Sequence, residues 1–466
     1  MARATTAKTP AGRATTKKAA PAKAKAKAKA NASWTIMVYL AGDNNLDGAG
    51  VTDLLEMKKV GSSASINVVA QFDRAGSKET TKRYLLRKGT PVAADVVGDL
   101  GETNTGDPKV LKDFLTWGIK TYPAQHYLAV LWNHGAGWDD SNLYAAGGDY
   151  FGGNAPPVIR KGYTLDAKGG VSARAGAGRK KTAAVPLAQA RAAIRRGGRA
   201  LFRTTVQKMA QSRAIAFDDQ AQDYIDNIEM KHVMLDIKKL LGRKIDILGF
   251  DACLMSMLEV GYQVKGVAAY TVGSQEEEPN EGWPYDRILT ALAKNPGMSP
   301  ADLSKLAVTQ YIASYGANSG VTFAATDLAK IDAVAAAVNK LGVALGKAMT
   351  DAKVFTALRS VRGGVQEYSS PYDDYVDLVD LCDGLTKLVT VADVSAACAA
   401  VKAAAAQMIL QSGWKGAKMA HSHGASIYFP KQKVCGLYRT LDFAKKNAWA
   451  KFINDYVAGL GNRAWG

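Results

Sequence analysis

Short runs of consecutive apolar residues alternate along this chain with stretches whose apolar positions recur every three to four residues. The runs are WTIMVYLAG (34–42), INVVAQFD (66–73), HYLAVLWNHG (126–135), KIDILGFDAC (244–253), AAYTVGSQ (268–275), GVTFAATDL (320–328) and GASIYFP (424–430). RYLLRK (83–88) is shorter and more polar and reads as an edge strand. Helical periodicity lies near 47–60, 108–120, 227–241, 254–265, 300–315 and 328–350. A strand with one wet face alternates, whereas a strand that is apolar at every position must be covered on both faces. Such runs separated by helices predict an α/β fold, a mostly parallel sheet flanked by helices on both faces. Chemistry in these sheets gathers beyond the carboxyl ends of the strands. Residues 391–411 are Ala-rich and strongly helical. With Tyr372–Leu385 they predict a C-terminal helical portion, 351–466, packed on the sheet. No fixed-period repeat is present.

The charge is distributed unevenly over the 466 residues. The net charge is +18, yet residues 1–33 carry nine Lys/Arg and no acid, and residues 141–213 carry 14 Lys/Arg against Asp149 and Asp166. The remaining chain has a net charge of −3. Residues 1–33 are rich in Lys, Ala and Thr and too poor in apolar surface to offset the entropy of ordering, which predicts a disordered basic tail. A polycation of this kind binds nucleic acid or an anionic surface by counterion release, or serves only to solubilise or target. The tail lacks the apolar core of a secretory signal. With four scattered cysteines and no Cys-x-x-Cys pair, this favours a cytoplasmic location. No apolar run reaches 18 residues, so no spanning helix is expected. Residues 141–213 form a long basic insertion between core segments 34–140 and 214–350. It is Gly-, Ala- and Pro-rich at first, with a basic amphipathic stretch near 187–212, and is expected at the surface, mobile and open to proteolysis.

Two polar clusters stand at the ends of central runs, Asn133-His134-Gly135 and Asp251-Ala252-Cys253. A cysteine between a strand end and a helix N-terminus meets backbone amides and a dipole that favour the thiolate. A histidine at a neighbouring strand end can act as general acid/base. The amides of Gly135 and Cys253 can receive a developing oxyanion. Spacing alone does not establish this, because a cysteine ending an apolar strand is more often an inert core residue.

Six strings carry a resemblance to a known family: WTIMVYLAGDNNLD (34–47), DLGETNTGDP (99–108), YPAQHYLAVLWNHGAGW (122–138), DILGFDACLMSMLEVGYQV (246–264), EEEPNEGWPY (276–285) and GASIYFP (424–430). In order and content they resemble the clostripain family of cysteine peptidases. The resemblance implies a caspase-like fold and a dyad of His134 and Cys253. It implies an endopeptidase that cleaves after Arg or Lys, with Asp251 in the pocket for the side chain preceding the scissile bond. A recessed carboxylate pairs well with a guanidinium. Asp251 as a helix cap is the plainer alternative. Glu276, Glu277, Glu278 and Glu281 belong to a loop that walls this pocket in the family, and Glu281 is taken as the substrate-binding member. Gln275 stands where many relatives carry an acid, and Asn280-Glu281 where Pro-Gly is common.

Relatives often mature by cutting themselves between the histidine and cysteine strands. Residues 141–213 occupy that place and offer Arg160-Lys161, Arg179-Lys180-Lys181, Arg195-Arg196 and Arg213. The chain is thus expected to be a zymogen. No cofactor is called for. Calcium is needed by some relatives, and Asp43, Asn44, Asn45, Asp47 and the stretch 216–226 are oxygen-rich, but neither has EF-hand spacing. His421 and His423 lack further metal ligands at a recognisable spacing. No motif of an NTPase, dinucleotide enzyme, serine hydrolase or zinc peptidase occurs. The competing reading is an inactive caspase-fold protein that binds nucleic acid or a partner through its tail.

Overall fold

A computed structural model of the chain describes residues 32–76, 78–138, 163–165, 171–173, 215–218, 221, 223–368 and 374–461. The chain divides into Met1–Asn31 and Ala32–Gly466, and the account that follows concerns the second unit. The expectations for the basic tail, the processing sites and the amphipathic stretch near 187–212 lie outside the described residues.

The strands are β1 (Ala32–Gly42), β2 (Ile66–Arg74), β3 (Lys82–Leu85), β4 (Val96–Asp99) and β5 (Ala124–Trp132). Two small ladders follow, β6 (Tyr163–Leu165) with β7 (Val171–Ala173) and β8 (Ile215–Asp218) with β9 (Asp223–Ile225). Then come β10 (Ile245–Asp251), β11 (Ala268–Gly273), β12 (Val321–Asp327), β13 (Glu367–Tyr368), β14 (Tyr375–Asp377), β15 (Ile409–Lys415) and β16 (Ser426–Tyr428). The central sheet has the order β15-β12-β11-β10-β5-β1-β2-β3-β4. Its middle pairs are parallel, and β12 and β3 run against both of their neighbours. Seven of these nine strands therefore share one direction, as the apolar runs predict.

The alternation of side chains shows why the runs are apolar throughout. Met37, Tyr39 and Ala41 of β1 and Tyr127, Ala129 and Leu131 of β5 enter one core. Trp34, Ile36, Val38 and Leu40, with Leu128, Val130 and Trp132, enter the other. The helices that cover these faces are α1 (Asp47–Val60), α2 (Pro108–Thr121), α3 (Asn227–Leu241), α4 (Leu258–Val264), α5 (Tyr285–Lys294), α6 (Pro300–Ser314), α7 (Ile331–Ala348), α8 (Ala352–Gly364), α9 (Leu378–Leu388), α10 (Ala392–Met408), α11 (Asp442–Lys446) and α12 (Ala448–Gly459). Helices α1, α5 and α6 bury Leu54, Ile288 and Val308 in the second core, whereas α2, α3, α4 and α7 bury Phe114, Met234, Val260 and Val338 in the first. Local signals fix the ends. Asp107 caps α2 ahead of Pro108, and Asp226 and Glu229 form a capping box on α3, which closes at left-handed Gly242.

Three sequence expectations shift. The helix read over 254–265 begins only at Leu258. GASIYFP does not join the main sheet, because β16 pairs with β14 in a separate three-stranded sheet, β13-β14-β16. The helix read over 391–411 ends at Met408, where β15 starts and closes the main sheet against β12. Pairing with an otherwise open edge outweighs local helical preference there.

Candidate active site

Strands β1, β5 and β10 lie side by side, with Leu40 level with Trp132 and Trp132 level with Asp251. Everything that leaves their carboxyl ends therefore meets in one place. Asn133 extends the ladder by one step, its amide donating to the Asp251 carbonyl at 3.2 Å. Its side chain ties back to β1, Nδ2 donating to the Ala41 carbonyl at 2.7 Å, and its Oδ1 accepts from the His134 amide. His134 follows, buried, with Nε2 2.8 Å from Asn45 Oδ1. An amide oxygen accepts, which assigns the proton to Nε2 and leaves the lone pair on Nδ1. Burial pushes the His134 imidazole down to about 4, so it is neutral at physiological pH.

Gly135 is where this loop meets the cysteine turn. A Cβ at position 135 would lie 2.5 Å from the Cys253 carbonyl oxygen, 2.8 Å from Ala252 Cβ and 3.0 Å from the Cys253 nitrogen. Residues 136–138 are held from the C-terminal side of the chain. Tyr375 Oη donates to the Ala136 carbonyl at 2.8 Å, and Asn227 Nδ2 to that of Gly137 at 3.1 Å. Trp138 is buried edge-on against Tyr428 and Tyr438, both ring centroids 4.8 Å away. Tyr438 in turn donates to Glu259 Oε1 at 2.9 Å.

Cys253 is 5 % exposed. Its surroundings differ from the strand–turn–helix expected of it. The next residue, Leu254, adopts a left-handed φ of 65°, and α4 starts four residues later. The intervening amides face the loop after β11 instead of a ligand, Leu254 N donating to the Glu276 carbonyl at 3.3 Å and Ser256 N to that of Ser274 at 2.8 Å. No helix N-terminus therefore lowers the thiol pKa. Burial pushes it well above its usual value, reinforced by the negative charges of Glu277, Glu278 and Glu276. Among the described residues, the amide on the sulfur is that of Glu278, which donates to Sγ at 3.2 Å.

Asp251 faces the opposite core from the cysteine. Tyr285 Oη donates to its Oδ2 at 2.8 Å and the Trp283 amide at 3.4 Å. A Cβ on Gly282 would lie 2.9 Å from Asp251 Oδ1, so the loop lies directly over the carboxylate. It is no cap for α4, whose N-cap is Met257. The carboxyl of Glu278 lies within electrostatic reach of Asp251. Burial raises both, and the charge of Asp251 pushes Glu278 up further. His134, Cys253, Asp251 and Glu278 line one cleft. Glu281 does not line it, and the acid placed there by the loop is Glu278. Gln275 anchors the loop's base, Nε2 donating to Asp377 at 3.0 Å and Oε1 accepting from the Gly424 amide at 2.7 Å.

The oxygen-rich residues after β1 have other duties. Asp47 makes a bidentate pair with Arg74 at 2.7 and 2.8 Å, Asn44 Oδ1 accepts from Leu46 N, and Asn45 faces His134. Among the described residues no group of three His, Cys, Asp or Glu side chains is placed to hold a metal ion. His423 donates its backbone amide to Asp377 and places Nδ1 2.9 Å from the same carboxylate, while His421 lies 3.3 Å from Asp380. Sequence reasoning missed Asn45 as the partner of His134 and Glu278 as the individual acid at the cleft. The first was legible in outline, because a parallel neighbour of the histidine strand must end beside it.

The sequence pattern of the clostripain family matches residues 38–148 and 200–456. A clostripain from Hathewaya histolytica is 32 % identical over 143 residues, 23 % of this chain and 27 % of the relative. The match thus spans about a quarter of that relative's length. A secreted C11 cysteine protease from Bacteroides thetaiotaomicron, solved with an irreversible peptide inhibitor, superposes with a TM-score of 0.55 at 20 % identity, over 91 % of this chain and 99 % of the other. An inactive zymogen C11 protease from Parabacteroides distasonis gives a TM-score of 0.53 at 18 % identity, over 89 % and 98 %. These two share the fold. Among the described residues no helix is long and apolar enough to cross a membrane.

Proposed function

Because the chain belongs to the clostripain family, we propose that it is a cysteine endopeptidase cleaving after Arg or Lys through His134 and Cys253. The observation that carries this reading is the wedge of Gly135 against the Cys253 backbone, which puts the imidazole and the thiol in one cleft with the Asp251 carboxyl.

Before substrate binds, both partners of the dyad are neutral. Substrate binding brings the scissile carbonyl to Sγ, and His134 Nδ1 takes the thiol proton as sulfur attacks. Asn45 holds the ring by accepting from Nε2–H and stabilises the imidazolium that forms. Negative charge then develops on the carbonyl oxygen. Among the described residues, neither the Gly135 nor the Cys253 amide donates to another group, and these two N–H groups would receive it. His134 returns the proton to the leaving amine, and water hydrolyses the thioester. Asp251 selects a basic side chain because a neutral one leaves its buried charge uncompensated. Self-processing in 141–213 would follow from the same preference.

Turnover of an Arg-linked fluorogenic peptide beside an Asp-linked one, for wild type and Cys253→Ala, tests the reading. Hydrolysis of the Arg peptide alone, abolished by the substitution, is expected. Equal rates for both peptides, or retained activity in the variant, would overturn it. Intact mass after incubation with calcium and reductant tests processing: wild type should fragment at basic residues in 141–213 and Cys253→Ala remain whole.

A further inference from the structure

Asp377 ends β14 and is fully buried. Its Oδ1 caps α9, accepting from the amides of Val379 and Asp380 at 2.9 Å each. Its Oδ2 accepts from Gln275 Nε2 at 3.0 Å, the Tyr368 hydroxyl at 3.1 Å and the His423 amide at 2.7 Å. His423 Nδ1 lies 2.9 Å from Oδ1, and a carboxylate accepts, which assigns a proton to that nitrogen. One carboxylate thus ties the loop after β11 to the start of α9 and to the turn at 421–424. The turn is itself wedged on the main sheet. Gly424 has a φ of 102°, and a Cβ there would lie 2.9 Å from Ser412 Cβ and 3.1 Å from Ala324 Cβ. Gln275 carries the tie toward the cleft. Its amide and that of Glu276 both donate to Thr322 Oγ1 at 2.9 Å, and three residues on the Glu278 amide donates to Cys253 Sγ at 3.2 Å. The cysteine turn is joined from its own side, where Ser256 Oγ donates to the Gly424 carbonyl at 2.8 Å. Neither Asp377 nor His423 lines the cleft.

We propose that His423 is a positioning residue for the reaction: by clamping the Asp377 carboxylate it fixes Gln275, and with it the loop whose amide rests on Cys253. The proposal rests on the reading that Cys253 is the nucleophile of an endopeptidase. An imidazolium offsets the charge of a carboxylate that the protein seals from solvent, and its N–H adds a charge-assisted donor. A neutral imidazole keeps the hydrogen bond and loses the charge. The hydrogen bond to Asp377 holds His423 above its ordinary range, so the charged form extends toward neutral pH. The titratable groups around the imidazole are Asp377 and Asp380 on α9, His421 on its own turn, Tyr368 on β13 and, beside Tyr368, Glu276 on the loop.

The test is kcat/KM of the full-length chain on an Arg-linked fluorogenic peptide, measured at a temperature far below the melting point of every variant. His423→Asn keeps a donor near the place of Nδ1 without the charge, and His423→Ala removes both. At about pH 6 the Ala variant should lose about tenfold or more and the Asn variant about three- to tenfold. The ratio of Asn variant to wild type cancels the titration of the dyad. It should return to within about twofold of one at about pH 9, where wild-type His423 is itself neutral. Gln275→Ala should lose about tenfold, and combining it with His423→Ala should cost no more than about threefold beyond the larger single loss, because both act through Asp377. Multiplicative losses in that double variant overturn the shared path. A ratio that stays flat with pH overturns the part played by charge. Wild-type turnover in a His423→Ala protein that merely melts lower shows a structural brace and overturns the positioning role. Should His423→Ala fail to fold, the pH ratio of the Asn variant still decides. If wild type shows no turnover that depends on Cys253, the underlying reading fails instead.

Discussion

Gly135 and Cys253 approach so closely that a single methyl group on the glycine would sit 2.5 Å from the cysteine carbonyl oxygen. Both neighbours it would strike on residue 253 are backbone atoms, which cannot rotate away. Gly135→Ala should therefore displace the cysteine turn, lowering kcat/KM by on the order of 10²-fold. The same strain should cost about 1–3 kcal/mol of stability. Peptide turnover and a thermal melt check the two effects, and full activity in a folded variant would mean that the turns are not in register as described.

In the proposed mechanism Asn45 acts only through the His134 ring that it holds. Asn45→Ala should lower kcat by about 10–10²-fold while KM stays within about twofold, because the imidazole loses its orientation without any change in the cleft. Asn45→Asp retains an acceptor and adds charge, so it should restore much of kcat and shift the acidic limb of the pH profile upward. A KM effect larger than the kcat effect would count against this role.

The buried thiol and imidazole give a second pH signature. Cys253 is raised and His134 lowered, so without substrate the two form an uncharged pair and not a thiolate–imidazolium pair. Labelling of unliganded Cys253 by iodoacetamide should climb by about tenfold per pH unit through the alkaline range. A plateau at neutral pH would show a preformed thiolate and sink the idea.

Asp73 lies at the carboxyl end of β2, fully buried, with Thr81 Oγ1 donating to Oδ1 at 2.7 Å. Burial raises its carboxyl to about 8, helped by the nearby charges of Glu102, Asp218 and Asp43. The unfolded chain gives up that proton near 4. Between those limits the folded state binds more protons, so Asp73 makes stability fall as pH rises and contributes no further change above about 8. Asp73→Asn should flatten this part of the curve and stabilise the protein at alkaline pH by on the order of 1–3 kcal/mol. Chemical denaturation at several pH values checks it, and a variant less stable than wild type at alkaline pH would contradict it.

The parallel sheet, its strands and most helix boundaries were legible because they follow from local rules. Strands buried on both faces must be apolar at every position, and caps such as Asp107-Pro108 and Asp226–Glu229 announce their helices. That His134 and Cys253 stand at the ends of central strands was legible from the apolar runs, whereas their pairing as a dyad came from the family resemblance. The stretch Leu254–Met257 was misread because its apolar spacing suits a helix, yet its amides are taken by carbonyls of the loop after β11. Glu278 could not be told from its acidic neighbours in sequence, since only the fold decides which of four adjacent acids turns inward. Gln275 had looked like a mere departure from an acid. Its contact with Asp377 explains it, because a second carboxylate there would face the first across 3.0 Å.

The clasp around Trp138 has a consequence for biosynthesis. Tyr428 and Tyr438, which hold that indole, stand late in the chain. When β5 and β10 have both left the ribosome, the segment carrying the histidine still has no wall to rest on. On the proposed function, a chain cut short before Tyr428 should therefore show no peptide turnover, however well its sheet has formed.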